Sequence, residues 1–333
     1  MILGLMIRIL KKHSNKSPHI LFSYLFTFTL IYLILLYKLF LVMDLIAIAQ
    51  IIVSSEATLS FLRNKRLLKS NFVCCGQTCA INKIQTSDGE SFRCRICRRK
   101  HSIRGDSIFA ASKLQLVHLV ILLYLFAQGC GVTMAHHFLP QVSQNSIVQW
   151  FSYFREVMSS YLLSNPVMLG NRVDAIVEMD ETFFTGTRKY HRGALRKKSK
   201  TVFGIIDRKT QKCVIRLVPD KSHASLLPII ESCTVDAATV FTDEAPMYKC
   251  LSHLGFDHKS VCHKREFKTP DGVHTNTIEG LWSNLKSGFK KMHGTKDTCM
   301  ALHIDEFVYR WNRKKEGDIF DLLIADIATQ YPV

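Results

Sequence analysis

The chain is 333 residues long and carries 44 Lys and Arg against 27 Asp and Glu, a formal net charge of +17. That length builds two or three domains with a buried core, and the cationic excess makes nucleic acid the default partner, with an anionic membrane surface as its rival. Eleven cysteines are too sparse for a secreted disulfide scaffold, and five of them fall between residues 74 and 97, as metal sites do.

Residues 1–43 do not belong with the rest. Ile20–Tyr37 is an uncharged apolar run preceded by Arg8, Lys11, Lys12 and Lys16. At about 1.5 Å per residue a helix of that length nearly spans a hydrocarbon core of roughly 30 Å, so a membrane helix is one reading. The other is a dispensable extension ahead of the native start, with Met43-Asp44 opening the helical run that follows. Residues 44–72 read as one or two helices. Leu59, Leu62 and Leu67 lie on one side and Arg63, Lys65, Arg66 and Lys69 on the other, either a solvated face or a DNA contact.

Residues 73–106 carry two cysteine knuckles. Cys94 and Cys97 are two residues apart, the first knuckle is wider, and 14 residues separate Cys79 from Cys94. The pattern predicts a zinc-ribbon-like DNA-binding module, with one structural Zn²⁺ held by Cys75, Cys79, Cys94 and Cys97 and with Cys74 as the alternative to Cys75. Arg93, Arg95, Arg98, Arg99, Lys100 and Arg104 decorate the second knuckle and are expected on phosphates. Residues 107–165 read as helical. Leu114–Gln128 is apolar nearly all round and too short to span a bilayer, so it should be buried. Helices over 132–140 and 146–163 have the layout of a helix-turn-helix, or of an ordinary core pair.

A linker at Asn165–Asn171 leads to a domain expected over residues 172–315. Val173–Arg208 opens with an alternating strand that carries Asp180. It continues through a cationic arm of Arg188, Lys189, Arg192, Arg196, Lys197, Lys198 and Lys200 and enters a second strand at Thr201. Strands follow at Cys213, at Thr239–Thr242 and at Ser260–His263, with helices over Ala224–Cys233 and Met247–Leu254. Three strands in succession, then strands alternating with helices, is the ribonuclease H-like order, an α/β mixed sheet flanked by helices. The fourth strand ends on Asp243, and a helix opening near Asn276 carries Glu279, with 35 residues between the two acids. Carboxylates on rigid elements suit a hard divalent cation, and a cationic arm beside them suits a metal that works on a polyanion. Residues 316–333 read as a C-terminal tail.

Several segments taken together carry a family likeness. They are Met-Asp180-Glu-Thr, the basic Tyr-His-Arg-Gly at 190–193, Val-Phe-Gly204, Thr-Asp243-Glu, Gly-Val-His274-Thr-Asn276-Thr-Ile-Glu279 and Asp305-Glu-Phe-x-x-Arg310-x-Asn312. The chain resembles the Merlin-type DDE transposases and their ISXO-like bacterial insertion-sequence relatives from about Asp44 to Lys315. The resemblance implies cut-and-paste transposition with Asp180, Asp243 and Glu279 as the catalytic acids. Two Mg²⁺ (or Mn²⁺) ions would then serve the attacking and leaving oxygens, with Asp180 bridging both. Implied partners are the element's terminal repeats, target DNA and further copies of the chain. Implied locations are the nucleus of a eukaryote or the cytoplasm and nucleoid of a bacterium, with a membrane only if residues 1–43 are genuine. His274 and Asn276 either contact the scissile phosphate or cap the helix, and Asp305 and Glu306 read as helix-surface or clamp residues rather than metal ligands. The rival is a catalytically inactive, transposase-derived DNA-binding protein. Replacing Arg196, Lys197 and Lys198 with Ala should weaken DNA binding on every sequence. The slope of log affinity against log salt should flatten by roughly 0.9 per lost phosphate contact, and an unchanged slope would make the run a solvated loop.

Overall fold

The computed structural model describes residues 45–84, 88–184, 199–261, 273–292 and 294–333. The apolar run at 20–37 and the cationic arm from Arg188 to Lys198 lie outside the described residues. Helices α1 (Leu45–Ile52) and α2 (Ser55–Asn64) meet at 110°, and no single helix among the described residues is long and apolar enough to cross a membrane. Ser54 starts α2 by accepting the Ala57 N–H on its hydroxyl at 3.0 Å. Three of the four cations beside α2 are paired within the chain. Arg63 meets Glu90 at 2.6 Å, Lys65 meets Asp321 at 2.9 Å and Lys69 meets Asp106.

The cysteine module is a hairpin, β1 (Val73–Cys74) and β2 (Gln77–Thr78), followed by an antiparallel sheet of β3 (Ala80–Lys83), β4 (Glu90–Arg93) and β5 (Lys100–Ser102). Arg104, expected on phosphate, is buried instead. It pairs with Asp88 and donates to the carbonyls of Ser112 at 2.9 Å and Leu114 at 2.8 Å, fastening the module to the next segment. Helix α3 (Leu116–Ala127) is the expected buried helix, with Leu119, Val120, Leu122, Leu123 and Phe126 inside. Helices α4 (Val132–Phe138) and α5 (Gln144–Ser164) follow, the second capped by Ser143 on the Ser146 N–H at 3.2 Å. The Phe126 ring packs against Phe151 and Phe154 at 5.1 and 5.4 Å.

Five strands form the second half: β6 (Ile176–Phe184), β7 (Lys200–Asp207), β8 (Cys213–Val218), β9 (Thr239–Asp243) and β10 (Asp257–Val261), in the order β10-β9-β6-β7-β8. β6, β7 and β8 pair antiparallel, whereas β9 lies parallel to β6 and β10 parallel to β9. The result is the mixed sheet that the sequence order called for. Strand alternation sends Val177, Met179, Phe203 and Ile205 to one face, where α6 (His223–Cys233) covers them with Leu226 and Ile230. The opposite face carries Val202, Ile206 and Ile215 under α7 (Asn276–Lys291) and α8 (Met300–Arg313). Met247–Leu254, expected as a helix, is instead two short 3₁₀ turns, Pro246–Tyr248 and Leu251–Leu254. Pro246 sets the first turn, and Gly255 at φ 91° ends the second before a helix has room to propagate.

Helix α8 joins the two halves. Glu306 accepts from Arg155 of α5 at 2.7 Å and from Arg310 at 2.9 Å. Arg310 also donates to the carbonyls of Phe126 and Ala127 at 2.7 Å, closing the C-terminal end of α3. Ser159 of α5 donates to Asp305 at 2.6 Å, so both acids are the clamp residues the sequence suggested. Asn312 presents both ends of its amide to the backbone of Cys213 at 2.8 Å, covering one end of edge strand β8. Residues 316–333, expected as a tail, contain helix α9 (Ile319–Gln330), whose Leu323, Ile324 and Ile327 are buried and whose Asp326 meets Arg313 and the Tyr309 hydroxyl. Burial alone would raise the Glu306 pKa, but Arg310 and Arg155 outweigh it and hold the carboxyl below its ordinary value. A lowered carboxyl pKa gives stability that is complete above the usual carboxylate range and lost as pH falls through the folded value. Glu306→Gln should cost on the order of 2–4 kcal/mol, because two half-buried guanidinium groups lose their anion. Denaturant melts at pH 7 check this, and the deficit should shrink toward acid pH.

Candidate active site and cysteine centre

Two of the three expected acids meet because of strand register. β6 and β9 run parallel with Ile176 beside Thr239, Val177 beside Val240 and Glu178 beside Phe241. Carried two residues further, the same offset sets Asp180 beside Asp243, on one face because strand side chains alternate. Asp180 is half-buried, and its Oδ2 accepts the indole N–H of Trp282 at 2.9 Å. Burial first, then the charges of Glu181 and Asp243, push its carboxyl up to about 6, against the lowering effects of the Trp282 N–H and the Glu181 backbone. Asp243 accepts the Ala245 N–H at 3.0 Å, which turns the chain out of the strand.

Glu279 lies in the first turn of α7 and is exposed. Among the described residues the three acids do not form one compact group of ligand atoms. What fixes α7 over the sheet is Glu178, which sequence reasoning left without a role. It is fully buried, accepts the Ile278 N–H at 2.9 Å and pairs with Arg208. Arg208 in turn reaches the carbonyl and Nδ1 of His274, the latter at 2.9 Å, and lies 4.7 Å over the Phe241 ring. His274 Nδ1 also accepts the Asn276 N–H at 3.3 Å, as a helix-capping side chain does. The available signal was Glu178 lying two residues before Asp180, on the same face. Glu181 faces the other way, bound by Tyr248 and by Lys221 at 2.9 Å, as alternation requires.

Cations show a second pattern. Arg155, Arg208, Arg310 and Arg313 are all paired with acids. Among the described residues no ion pair involves Arg95, Arg98 or Arg99 of the second knuckle, or Lys286, Lys290 and Lys291 on the exposed side of α7, which the sequence reading passed over. Lys200 does find an acid, Asp297, at 3.8 Å.

The cysteine centre differs from expectation in one ligand. Cys74, Cys75, Cys94 and Cys97 bring their sulfurs within 4.8 Å of one another. Cys79 is buried next to this group but outside it. The cause is the hairpin. Cys75 and Gly76 form its two-residue connection with φ of 51° and 74°, a tight turn that presents both Cys74 and Cys75 at the tip. Cys79 lies beyond β2, where its N–H donates to the Phe72 carbonyl at 2.7 Å. The Cys74 sulfur is 3.8 Å from that of Cys75 and 3.6 Å from that of Cys97. A tetrahedron with Zn–S bonds of about 2.3 Å has S–S edges of about 3.8 Å, so these thiols fit a zinc site. The Cys97 backbone N–H lowers the Cys94 thiol to about 6, whereas the hydrogen bond shared with the Cys97 sulfur, then burial, raise that of Cys74 to about 12.

Residues 172–312 match the ISXO2-like transposase domain family. A transposase-like protein of Haemophilus influenzae is 27% identical over 99 residues, covering 30% of this chain and 80% of that protein. Similar solved structures include the HTLV-2 integrase catalytic core domain in complex with magnesium, at 12% identity and a TM-score of 0.28, covering 44% of this chain and 89% of that one. The catalytic core domain of BIV integrase is 14% identical with a TM-score of 0.28, covering 47% and 97% of the two chains. The α/β mixed sheet with acids at adjoining strand positions lies within the stretch that this family model matches. Residues 172–312, less than half of the chain, are similar to an insertion-sequence transposase domain. The purified chain should hold one zinc. Cys74→Ser should release it and Cys79→Ser should retain it, read by metal analysis after gel filtration. The reverse result would restore the wider knuckle.

Proposed function

We propose that the chain is a DNA transposase that cuts phosphodiester bonds at the ends of its element and joins them to target DNA. The observation that carries this is the register that sets Asp180 beside Asp243 under the helix bearing Glu279. We read the sheet as ribonuclease H-like, since its first three strands are antiparallel and its last two lie parallel to the first. Asp180, Asp243 and Glu279 are hard oxygen donors of the kind Mg²⁺ or Mn²⁺ takes, and two of them share one level of the sheet. When bound there, two such ions would neutralise the attacking and leaving oxygens of an in-line displacement. The protein's own part is to hold Asp180 anionic and oriented through the Trp282 N–H, and to anchor α7 through Glu178. The reaction class is hydrolysis at the element end, followed by attack of the freed 3′-hydroxyl on a target phosphate.

Duplex DNA is the partner that the unpaired cations support. Arg95, Arg98 and Arg99 surround the cysteine centre, and Lys286, Lys290 and Lys291 continue along the helix whose first turn carries Glu279. Helices α4 and α5 supply a helix-turn-helix layout with Gln144, Asn145 and Gln149 exposed, side chains suited to base edges. Cutting two ends and joining both calls for more than one copy of the chain.

Asp180→Asn, Asp243→Asn and Glu279→Gln should each abolish Mg²⁺-dependent cleavage and joining while DNA binding holds or rises. Asp305→Asn is the control and should keep activity. A raised carboxyl pKa means the neutral acid is favoured in the folded chain, so Asp180 costs stability as pH rises through about 6. Asp180→Asn should therefore stabilise chelator-treated protein at pH 7.5 by on the order of 1–3 kcal/mol. Near-native cleavage by any triad amide would defeat this assignment.

A further inference from the structure

Two neighbours of Asp180, Gly204 on β7 and Trp282 on α7, are not themselves metal-ligand residues. Gly204 lies directly across from Asp180 in the β6–β7 pairing. A Cβ at Gly204 would lie 2.8 Å from Cζ2 of Trp282 and closer still to Cη2, so the six-membered ring of the indole rests on the glycine's bare backbone. From that seat the other end of the indole donates Nε1–H to Asp180 Oδ2 at 2.9 Å. Trp282 is 5% exposed and continuous with Ile278, Leu281 and Leu285 on the buried side of α7. Glu279 is three residues earlier, one helical turn away.

We infer that Trp282 is a positioning residue for the acid site, with Gly204 as the floor that sets its depth. The inference rests on the metal-site reading above. One N–H bond fixes how the Asp180 carboxylate is turned and occupies one of its oxygens, leaving the other for a cation beside Asp243. The same ring fixes how closely α7 approaches the sheet, and with it the height of Glu279 over Asp180. Any side chain at 204 would lift the ring and separate the two acids. Packing alone does not explain the arrangement. A phenylalanine would fill the same apolar layer, and a buried indole N–H needs an acceptor, which the Asp180 carboxylate within β6 supplies.

The test uses the full chain and Mn²⁺ as the probe. Binding is followed by the electron paramagnetic resonance signal of free Mn²⁺ and by calorimetry. Trp282→Phe should weaken Mn²⁺ binding at the carboxylates about 10-fold or more, the range for losing a group that orients a ligand. DNA binding in chelator should stay within twofold. Gly204→Ala should weaken Mn²⁺ binding likewise while leaving the indole N–H in place. If Trp282→Phe does not fold, 3-benzothienylalanine at position 282 keeps the bicyclic shape without the N–H and should show the same loss. Mn²⁺ affinity within twofold of wild type in a folded N–H-lacking variant overturns the inference and leaves the transposase reading intact, provided Asp180→Asn has lost the ion. If wild type and Asp180→Asn bind Mn²⁺ alike, the metal-site reading falls and this inference falls with it.

Discussion

The arrangement depends on one buried carboxylate, Glu178. A charge with no exposed surface is tolerated only when it is fully paired and hydrogen-bonded, and Glu178 has Arg208 on one side and the Ile278 N–H on the other. Both partners belong to other parts of the chain, the end of β7 and the start of α7. Satisfying this charge therefore docks a helix on the sheet at a defined place, and Glu279 follows directly after the docked residue. Arg208 then carries the constraint further, to His274 ahead of the helix and to the Phe241 ring in the strand that ends on Asp243.

Opposed demands meet two residues along the same strand. On the proposed reading Asp180 holds a cation and must be an anion to do so, yet burial, Glu181 and Asp243 favour the neutral acid. The Trp282 N–H partly offsets that, and a bound cation would complete the balance. A site of this kind is poorly stable by itself and is held by groups that look structural, which is why Glu178 and Trp282 matter as much as the acids they serve.

Much of this was legible in the sequence, because strand alternation and acid placement are local properties. The strands carrying Asp180 and Asp243, the helix with Glu279, the buried α3 and the α4–α5 pair all follow from period and composition. Register is not local. Nothing in the sequence states that Ile176 pairs with Thr239, and so nothing states that the two acids share a level. The first cysteine knuckle misled for a related reason, since spacing alone favours Cys79 while a two-residue turn at Cys75-Gly76 brings Cys74 to the tip. Arg104 misled because a cation among cations reads as surface, and only the fold reveals Asp88 and two carbonyls waiting for it. Residues 316–333 looked like a tail because the partners of Asp326 are on another helix.

Helix α8 gives the molecule an architecture that its family boundaries hide. The stretch matching the transposase family ends at residue 312, within α8, and begins after α5. Yet Val308 and Tyr309 share one apolar core with Leu119 of α3, Phe154 of α5, Phe92 of the cysteine module and Leu323 of α9. A unit of descent and a unit of folding need not coincide. Cut out at its family limits, residues 172–312 would expose the inner side of α8 and strand Arg310 away from the helix end it closes, leaving a sticky fragment in place of a domain. Anyone shortening this chain to study its chemistry should expect to keep the helices on both sides.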